Sequence, residues 1–568
     1  MHDSSLIRIR LITCAIVFCA LFLIARLYVV QVVKGEAFLE KADKQYIISS
    51  ADAFNRGSIY AENADKSLVS LATLKSGYVL TINPMLIENS EEVYMKLSSV
   101  ITEIDKEDFF AKASKKNDPY EEIAKRVESE VAERIEMLNL RGVYLYKERW
   151  RYYPRESLSA HVLGFVGFKD DVFRGQYGLE KYYNDALERS ADDVYVNFFA
   201  EIFSNIPLLG KVEEKEADII TTILPLAQSE LEKEVKQIHE TWQSKTTGGI
   251  IINPTNGEIV AMAAYPAFDP NTFNKEKNVG VFSNPLIESV YEMGSIIKPL
   301  TIAAGIDSGT ITAKTTYKDN GFLTLNKATV YNFDKKGRGV VSIQEVLNQS
   351  LNTGAAFVAD KMGPKFSEYM LSFGFGEETG IDLPNEAKGI VGNLEHGVEI
   401  DLATASYGHG IAMTPINITR ALGSLANGGV LVTPHMVRRL EYSHGAAHEV
   451  TYEKPKRVMK ETTAREVSRM LVEVVDKALL DGKVKMEHYS IAAKTGTALV
   501  SKVGAKGYYD DRYLHSFFGY FPASKPQFLI FLYTVEPQGV TYASHTLTTP
   551  FMDLTKYLIN YFNIPPDR

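Results

Sequence analysis

The sequence is nearly free of cysteine and carries no excess of positive charge. Its two cysteines, Cys14 and Cys19, both lie in an N-terminal apolar stretch, so no disulfide can form within the chain that follows. A large domain needs no such crosslink, and an extracytoplasmic location therefore remains open. The net charge of −9 argues against a general nucleic-acid binder, which would be basic.

Two common hydrolytic motifs are also missing. No Gly-x-Ser-x-Gly segment occurs, which disfavours a hydrolase with a Ser-His-Asp triad. The one His-x-x-x-His pair, His444 and His448, lacks the Glu that a zinc-protease helix places after its first His. We therefore predict an exposed loop at this pair and no metal site. His409 is interpreted as a hydrogen-bonded structural residue.

Size and composition are those of an ordinary globular protein with at least two domains. The chain has 568 residues, of which 45% are hydrophobic and 23% charged. These proportions are average for folded proteins, and the length exceeds that of a typical single domain.

Residues 11–33 form an apolar stretch interrupted only by Arg26 and Gln31. As a helix it would be about 34 Å long, enough to cross a bilayer. A cleaved signal peptide is the alternative, but no small-x-small cleavage site follows the stretch cleanly. Because Arg8 and Arg10 precede it, we predict one uncleaved membrane helix with the first ten residues in the cytoplasm.

Hydrophobic periodicity predicts helices and strands in both halves of the chain. Two apolar runs, 250–252 and 259–262, flank Asn256-Gly257. This dipeptide between apolar runs is a strong signal for a β-hairpin. Early and late strands with helices between them predict an α+β domain built on an antiparallel sheet. The other predicted elements are an exposed amphipathic helix starting at 123–129, strands at 217–223, 491–500, 516–521 and 527–535, and helices at 226–242 and 551–562.

Ser295 and Lys298 form the only Ser-x-x-Lys pair of the chain. On a helix, residues three apart share a face, so the two side chains can meet. A serine hydroxyl becomes a good nucleophile when a base takes its proton, and an uncharged lysine can be that base. Because Pro299 is tolerated only in the first turn of a helix, a helix is predicted to start close to Ser295. By itself the pair is equally compatible with a serine N-cap followed by an exposed lysine.

A second polar motif, Ser350-Leu351-Asn352, follows 55 residues later. In an extended turn the two polar side chains point the same way. The alternative is a helix start, where Ser and Asn are common caps.

A third motif, Lys494-Thr495-Gly496-Thr497, lies in a strand-like run. A cation beside two hydroxyls suits a carboxylate ligand, and a glycine lets another backbone approach closely. The alternative is a plain edge strand with a solubilising lysine.

Together, the three motifs resemble those of the penicillin-binding protein and serine β-lactamase superfamily. Residues 249–262, 268–271, 407–411 and 413–415 resemble further blocks of the transpeptidase domain. Upstream, residues 56–60 and 175–180 resemble the pedestal of class B penicillin-binding proteins. The resemblance covers nearly the whole chain. The sequence departs from the family pattern at Met293, where Pro is usual, at Ile296, where a small hydroxyl residue is common, at His409, where Gln is frequent, and at 61–63, where Asp-Arg is usual.

The resemblance implies a fold and a set of domains. We expect a penicillin-binding/β-lactamase-like α+β transpeptidase domain, an antiparallel sheet flanked by helices, on an elongated α+β pedestal with one N-terminal transmembrane helix. The expected bounds are 1–10 for the cytoplasmic head, 11–33 for the helix, 34–225 for the pedestal and 226–568 for the transpeptidase domain.

The resemblance also implies roles for the motif residues in a D,D-transpeptidase of cell-wall synthesis. Ser295 attacks the D-Ala-D-Ala carbonyl of a peptidoglycan stem peptide or acylates with a β-lactam, and Lys298 is its base. Ser350 passes a proton to the leaving group, while Asn352 holds Lys298 and the substrate amide. Lys494, Thr495, Gly496 and Thr497 form the strand along which the ligand lies, and the N–H groups of Ser295 and Thr497 form an oxyanion hole. No cofactor is implied.

The expected surroundings are those of a single-pass protein of the bacterial cytoplasmic membrane with its catalytic domain outside. No glycosyltransferase domain is visible, so a SEDS-type glycan polymerase is the expected partner, beside other cell-wall or division proteins. The compact pedestal favours division over elongation.

Two classes of alternative remain at this point. A D,D-carboxypeptidase or a β-lactamase would use water as acceptor, but simple hydrolases rarely carry a pedestal. A β-lactam sensor would be expected to carry a signalling domain before the span, and a non-catalytic divisome scaffold would not need the complete set of motif residues.

Overall fold

The computed structural model describes residues 55–189 and 216–568, apart from residues 64, 102–103, 170–171, 326–327, 397, 443–444, 503 and 505–506, together with residues 18, 23 and 26. The chain divides into two compact units. Of the described residues from 55 onward, the small unit comprises 55–56, 74–151 and 189, and the large unit comprises 57–73, 152–188 and 216–568.

The small unit is a sheet covered by short helices. The strand Leu68–Ile82 belongs to this unit from residue 74 onward. That part of the strand pairs with Glu121–Val127 and Val143–Tyr152. Its core contains Leu80 and Phe109, both fully buried. The helices are Ser90–Ser98, Lys106–Ala113 and Ser129–Glu136.

The helix predicted to start at 123–129 is wrong over its first five residues. Residues up to Val127 form a strand, in which Val127 pairs with Tyr78 and Glu122 with Thr81. Backbone hydrogen bonds to a distant strand thus override a local charge pattern that favours a helix. The helix begins at Ser129 and is amphipathic as predicted, burying Ala132 and Ile135.

The large unit is built on a five-stranded antiparallel sheet. In spatial order its strands are Ile259–Tyr265, Thr246–Ile252, Phe528–Val535, Tyr508–Phe521 and Ala492–Ser501. The predicted hairpin and the three late strands are confirmed, although Tyr508–Phe521 begins eight residues earlier than expected. Its outer part, residues 508–513, places three exposed charged residues between part-buried tyrosines and lacks the alternation that marks the rest of the strand.

Both faces of this sheet are buried against helices, which explains its long apolar runs. Successive residues face opposite sides: Ile250 and Phe518 belong to one core, Ile251 and Phe517 to the other. Pro225–Trp242 and Thr548–Tyr561 cover one face, and Lys298–Asp307, Pro415–Ala426 and Glu461–Glu473 contribute to the core on the other. The helices predicted at 226–242 and 551–562 are therefore confirmed.

A second sheet of the large unit includes the strand predicted at 217–223. It spans Ala217–Thr221 and runs parallel to Ile59–Glu62. Ile59–Glu62 is antiparallel to the first residues of Leu68–Ile82, and Ala217–Thr221 is antiparallel to Val437–Tyr442. The short strand Ala447–Glu449 pairs with Val437–Tyr442 and is the last strand on that side of the sheet.

The remaining elements are short. The strands are Asn55–Arg56, Val166–Lys169, Val172–Gly175, Glu188–Arg189, Thr316–Asp319, Phe322–Leu325, Ala328–Tyr331, Gly339–Ser342, Val430–Leu431 and Lys456–Arg457. The α-helices are Ala160–Leu163, Gly178–Tyr182, Asn184–Leu187, Pro285–Glu288, Ile343–Asn348, Asn352–Met362, Pro364–Ser372, Gly392–Glu395, Glu399–Ala405 and Ala543–Thr546. Pro270–Lys275, Val279–Phe282, Gly294–Ile297 and Leu479–Gly482 are 3₁₀-helical, and Val474–Ala478 is a π-helical turn.

Among the residues that the structure describes, no helix is long and apolar enough to cross a membrane. The span predicted over 11–33 lies outside them, except for residues 18, 23 and 26.

Candidate active site

Ser295 lies in a tight turn just before a helix of the large unit. Residues Gly294–Ile297 form one turn of 3₁₀-helix, and the α-helix Lys298–Asp307 follows it directly with Pro299 in its first turn. The predicted start near Ser295 is confirmed, although the α-helix itself begins at Lys298. Gly294 has a φ of +64° and donates its N–H to the carbonyl of Gly408 at 3.2 Å. This turn holds Ser295 partly exposed above a buried lysine.

The Lys298 amine is the centre of the site. Its Nζ lies 2.9 Å from Ser295 Oγ, 2.6 Å from the carbonyl oxygen of Ser350 and 2.8 Å from Asn352 Oδ1. The Ser350 hydroxyl is a fourth neighbour at 3.2 Å. The serine and the lysine of the Ser-x-x-Lys motif therefore meet, and the residues of the second motif contact the same amine.

The surroundings of Lys298 disfavour its charge. The side chain is fully buried, at 0% exposure. Burial, with a smaller contribution from the positive charge of Lys494, holds the pKa of the Lys298 amine well below that of an ordinary lysine. A lysine in this environment is able to accept a proton.

Ser350 joins two amines through its hydroxyl. Its Oγ accepts a hydrogen bond from Lys494 Nζ at 3.0 Å while facing Lys298 Nζ on the other side. Ser350 has a φ of +54°, in the left-handed region that non-glycine residues rarely adopt. Asn352 is the first residue of the helix Asn352–Met362, so the motif is both a helix start and part of the polar cluster.

Lys494 is buried at the edge of the five-stranded sheet. It is 3% exposed and also donates to the carbonyl of Thr495 at 3.0 Å. Burial lowers the pKa of the Lys494 amine to about 7. Its strand, Ala492–Ser501, pairs only with Tyr508–Phe521 among the described strands, so the predicted edge position is confirmed.

The rest of the third motif follows along this edge strand. Thr495 pairs with Phe517, Gly496 with Ser516 and Thr497 with His515. The hydroxyl of Thr497 accepts a hydrogen bond from the N–H of Ala543 at 3.2 Å.

Gly496 is where the edge strand meets the nucleophile turn. A Cβ built on Gly496 would lie 2.7 Å from the carbonyl oxygen of Met293 and 2.3 Å from Ser516 Oγ. The close approach that the sequence predicted is therefore real, and the partner is the backbone before Gly294. The Ser516 hydroxyl fastens it by donating to the Met293 carbonyl at 2.8 Å. Sequence reasoning missed Ser516, because it carried no motif and served only as the start of a strand.

His409 is half-buried between aromatic rings near this cluster. Its ring centroid lies 5.3 Å from that of Tyr407 and 5.8 Å from that of Tyr508. Burial, with the nearby Lys298 charge, lowers its pKa to about 4, so the ring is neutral. A hydrogen bond with the backbone of Tyr407 opposes this shift, as expected for a hydrogen-bonded structural residue, whereas Nδ1 is buried with no close partner among the described residues.

The predicted exposed loop near the histidine pair is in part a short strand. His448 is exposed on the strand Ala447–Glu449, and residue 444 lies outside the described residues. Within the described part of the chain, no group of three or more His, Cys, Asp or Glu side chains is placed to hold a metal ion.

Comparison with known protein families agrees with this geometry. Residues 247–555 match the model of the penicillin binding protein transpeptidase domain, which covers more than half of the chain. This chain belongs to the penicillin-binding protein transpeptidase family. Residues 52–198 of this penicillin-binding protein also match the penicillin-binding protein dimerisation domain.

Named relatives extend along almost the whole chain. Stage V sporulation protein D of Bacillus subtilis is 28% identical over 566 residues, covering 96% of this chain and 84% of the relative. Peptidoglycan D,D-transpeptidase FtsI of Buchnera aphidicola is 24% identical over 581 residues, covering 99% and 96%.

Solved structures show the same fold. The crystal structure of penicillin binding protein 3 from Mycobacterium tuberculosis, complexed with aztreonam, aligns with a TM-score of 0.68 at 21% identity. The alignment covers 91% of this chain and 98% of that one.

Proposed function

We propose that this penicillin-binding protein is a peptidoglycan D,D-transpeptidase that crosslinks stem peptides through an acyl-enzyme on Ser295. The enzyme class, a serine-type transpeptidase acylated by β-lactams, follows from the family and its relatives. The roles of individual residues are inferred from the contacts around Lys298.

One observation carries the assignment of the base. The Ser350 carbonyl and Asn352 Oδ1 can only accept hydrogen bonds, and they lie 2.6 Å and 2.8 Å from Lys298 Nζ. An uncharged amine has two N–H donors and one lone pair. With both donors directed to these oxygens, the lone pair is left for the hydroxyl of Ser295 at 2.9 Å. This arrangement supports Lys298 as the base that takes the serine proton.

Acylation joins the stem peptide to Ser295 and releases the terminal D-Ala. Ser295 Oγ attacks the carbonyl carbon of the D-Ala-D-Ala bond, and its proton passes to Lys298. The C–N bond breaks, and a proton passes through the Ser350 hydroxyl to the amine of the departing D-Ala. Ser350 suits this transfer because its Oγ lies between the two amines, 3.2 Å from Lys298 and 3.0 Å from Lys494.

The acceptor step reverses this sequence. An amine of a neighbouring stem peptide attacks the ester carbon and loses a proton, and the bond to Ser295 Oγ breaks as the oxygen regains its proton. The stem peptide lies along the edge strand, where Lys494, Thr495 and Thr497 bind its carboxylate and backbone, while Gly496 lets this strand lie directly against the nucleophile turn. The N–H groups of Ser295 and Thr497 stabilise the oxyanion.

We further propose that residues 11–33 anchor the protein as a single-pass membrane helix with the catalytic domain outside the bacterial cell. A SEDS-type glycan polymerase, contacted through the span and the pedestal, would supply the glycan strands, and the role would be in division. Extraction from membranes by detergent but not by high salt, and release after deletion of 11–33, would support the anchor. A soluble full-length chain would contradict it.

Intact-mass analysis after incubation with benzylpenicillin tests the catalytic assignment. The wild-type chain should gain one covalent adduct, Ser295→Ala should gain none, and the control Ser283→Ala should gain the same adduct as the wild type. An adduct that persists on Ser295→Ala would overturn the choice of nucleophile.

Two further outcomes would point to the alternatives. If no adduct forms and the drug is hydrolysed, the protein is a β-lactamase. If no adduct forms and the drug stays intact, the protein is a non-catalytic scaffold. If the adduct forms, incubation with a stem peptide and an acceptor amine separates the rest. A crosslinked product indicates a transpeptidase. Release of D-Ala without a crosslinked product indicates a carboxypeptidase, and the absence of both products indicates a sensor.

A further inference from the structure

Asp319 is a buried carboxylate behind the active site with no role in the mechanism above. It ends the strand Thr316–Asp319 and is 2% exposed. Its oxygens accept hydrogen bonds from four uncharged groups: the N–H of Gly321 at 2.9 Å, the N–H of Arg338 at 3.1 Å, Asn332 Nδ2 at 3.0 Å and Thr353 Oγ1 at 2.9 Å. A buried carboxylate held by donors alone requires each of them to be in place.

The carboxylate sets the orientation of the Asn332 amide. Asn332 Nδ2 donates to the Asp319 carboxylate, whose two oxygens each lie at 3.0 Å, and to the Lys336 carbonyl at 3.2 Å, so its Oδ1 points the other way. There Oδ1 accepts a hydrogen bond from the N–H of Thr353 at 3.2 Å, and the Thr353 hydroxyl, whose single proton is shared between Asn332 and Asp319, lies 3.0 Å away. The N-cap residue of the helix Asn352–Met362 makes no side-chain capping bond. Asn332 therefore supplies the cap from another segment of the chain.

The same segment holds the amide of Asn352. Tyr331, directly before Asn332, accepts a hydrogen bond on its carbonyl from Asn352 Nδ2 at 3.0 Å. With its Nδ2 bound there, Asn352 presents Oδ1 to Lys298 Nζ at 2.8 Å. The position of Asn352 Oδ1, which accepts a hydrogen bond from the Lys298 amine, therefore depends on residues 331 and 332. Asp319 in turn holds these two residues in place.

We propose that Asp319 is a positioning residue for acylation, acting through Asn332 and Asn352 on Lys298; the proposal rests on the assignment of Lys298 as the base. In Asp319→Asn, the new amide Nδ2 must face a backbone N–H whichever oxygen it replaces, that of Gly321 on one side or that of Arg338 on the other. The Asn332 amide then keeps only the Lys336 carbonyl as an acceptor for its Nδ2, which weakens its orientation and the helix cap that depends on it. The Asn352 Oδ1 shifts away from Lys298 Nζ, and a misplacement of about 1 Å can lower a rate about 100-fold.

The test measures acylation of the full-length chain by a fluorescent penicillin. Stopped-flow traces at several drug concentrations separate the acylation rate constant k2 from the pre-acylation binding constant K, and the final label counts the acylatable sites. For Asp319→Asn we expect k2 per acylatable site to fall roughly 10- to 100-fold, with K changed less than about twofold because the ligand is not contacted. The control Asp360→Asn makes the same chemical change at an exposed position of the helix Asn352–Met362 and should leave both constants unchanged.

The pH profile of k2 distinguishes positioning from a loss of folded protein. Loss of the Asn352 acceptor disfavours the ammonium form of Lys298, so the acid limb of the profile should move to lower pH. Unfolding alone would reduce the number of acylatable sites without moving this limb. A wild-type k2 per acylatable site in Asp319→Asn, or an unshifted acid limb, would overturn the proposal.

A second pair of variants covers the case in which Asp319→Asn does not fold. Thr353→Val removes a donor to Asp319 while keeping the side-chain volume, and should lower k2 in the same direction. Thr353→Ser restores the hydroxyl and should restore k2. Equal k2 in Thr353→Val and the wild type would overturn the proposal. Failure of the underlying mechanism would instead appear as labelling of Ser295→Ala or as no labelling of the wild type.

Discussion

Replacing Gly496 by alanine tests whether the edge strand and the nucleophile turn must lie in direct backbone contact. A Cβ at this position would be 2.7 Å from the Met293 carbonyl oxygen, about 0.7 Å short of the 3.4 Å at which ordinary contact begins. It would also lie 3.1 Å from Ile296 Cγ2. The Ser516 hydroxyl, at 2.3 Å, can rotate away only by giving up its hydrogen bond to Met293.

The expected result follows from which groups can move. The Met293 carbonyl is backbone, so the strand itself must shift by several tenths of an ångström away from the turn. Thr497 shifts with the strand and Ser295 stays with the turn, which widens the gap between the two predicted oxyanion donors. We expect a loss of about 1 to 3 kcal/mol in the free energy of unfolding from overpacking. We also expect k2 to fall roughly 100-fold.

The assay is acylation by a fluorescent penicillin, with k2 expressed per acylatable site. Gly392→Ala is the matched control, because a Cβ at Gly392 meets nothing within 4 Å. It should be acylated at the wild-type rate. If Gly496→Ala is also acylated at the wild-type rate, the argument from backbone contact is refuted.

Three further predictions concern the polar groups of the site. Because the Lys494 pKa is lowered to about 7, the lysine loses its charge above that pH. The K for a carboxylate-bearing penicillin should therefore weaken as pH rises from 6 to 9, and Lys494→Gln should abolish this dependence in a K-against-pH series. Ser350→Ala should lower k2 roughly 100-fold or more, measured by stopped flow, because general acid–base transfer typically contributes that much; an unchanged k2 would exclude the proton transfer. Tyr508→Phe removes the hydroxyl that donates its one proton to the Glu292 carboxylate, whose two oxygens lie 3.1 Å and 3.0 Å away. It should lower the free energy of unfolding by about 1 kcal/mol in denaturant titrations, whereas no change would show that this hydrogen bond adds no net stability.

The sequence predicted the parts of the site that depend on local spacing. Ser295 and Lys298 meet because they lie three residues apart around a helix start, and Pro299 marks that start. Lys494 and Gly496 lie on a strand because residues 491–500 form a strand-like run, and the edge position of that strand was implied by the family resemblance. In each case the signal is contained in about ten consecutive residues.

What the sequence did not predict depends on contacts between distant segments. Residues 123–127 form a strand because they pair with residues near 80, although their charges suggest a helix. Ser516 holds the nucleophile turn across 223 residues. Asp319, Asn332 and Thr353 form one network only once the chain has folded. Neither hydrophobic period nor motif spacing encodes such pairings.

The backbone of Ser350 shows what the site requires of the fold. A φ of +54° is a conformation that glycine adopts freely and that other residues adopt at a cost of about 1 to 2 kcal/mol. The hydroxyl between the two amines is nevertheless present, so the chain gives up local stability at this one residue to keep an oxygen there. A protein selected for thermal resistance alone would carry glycine at this position and would lose the group that connects the two lysines.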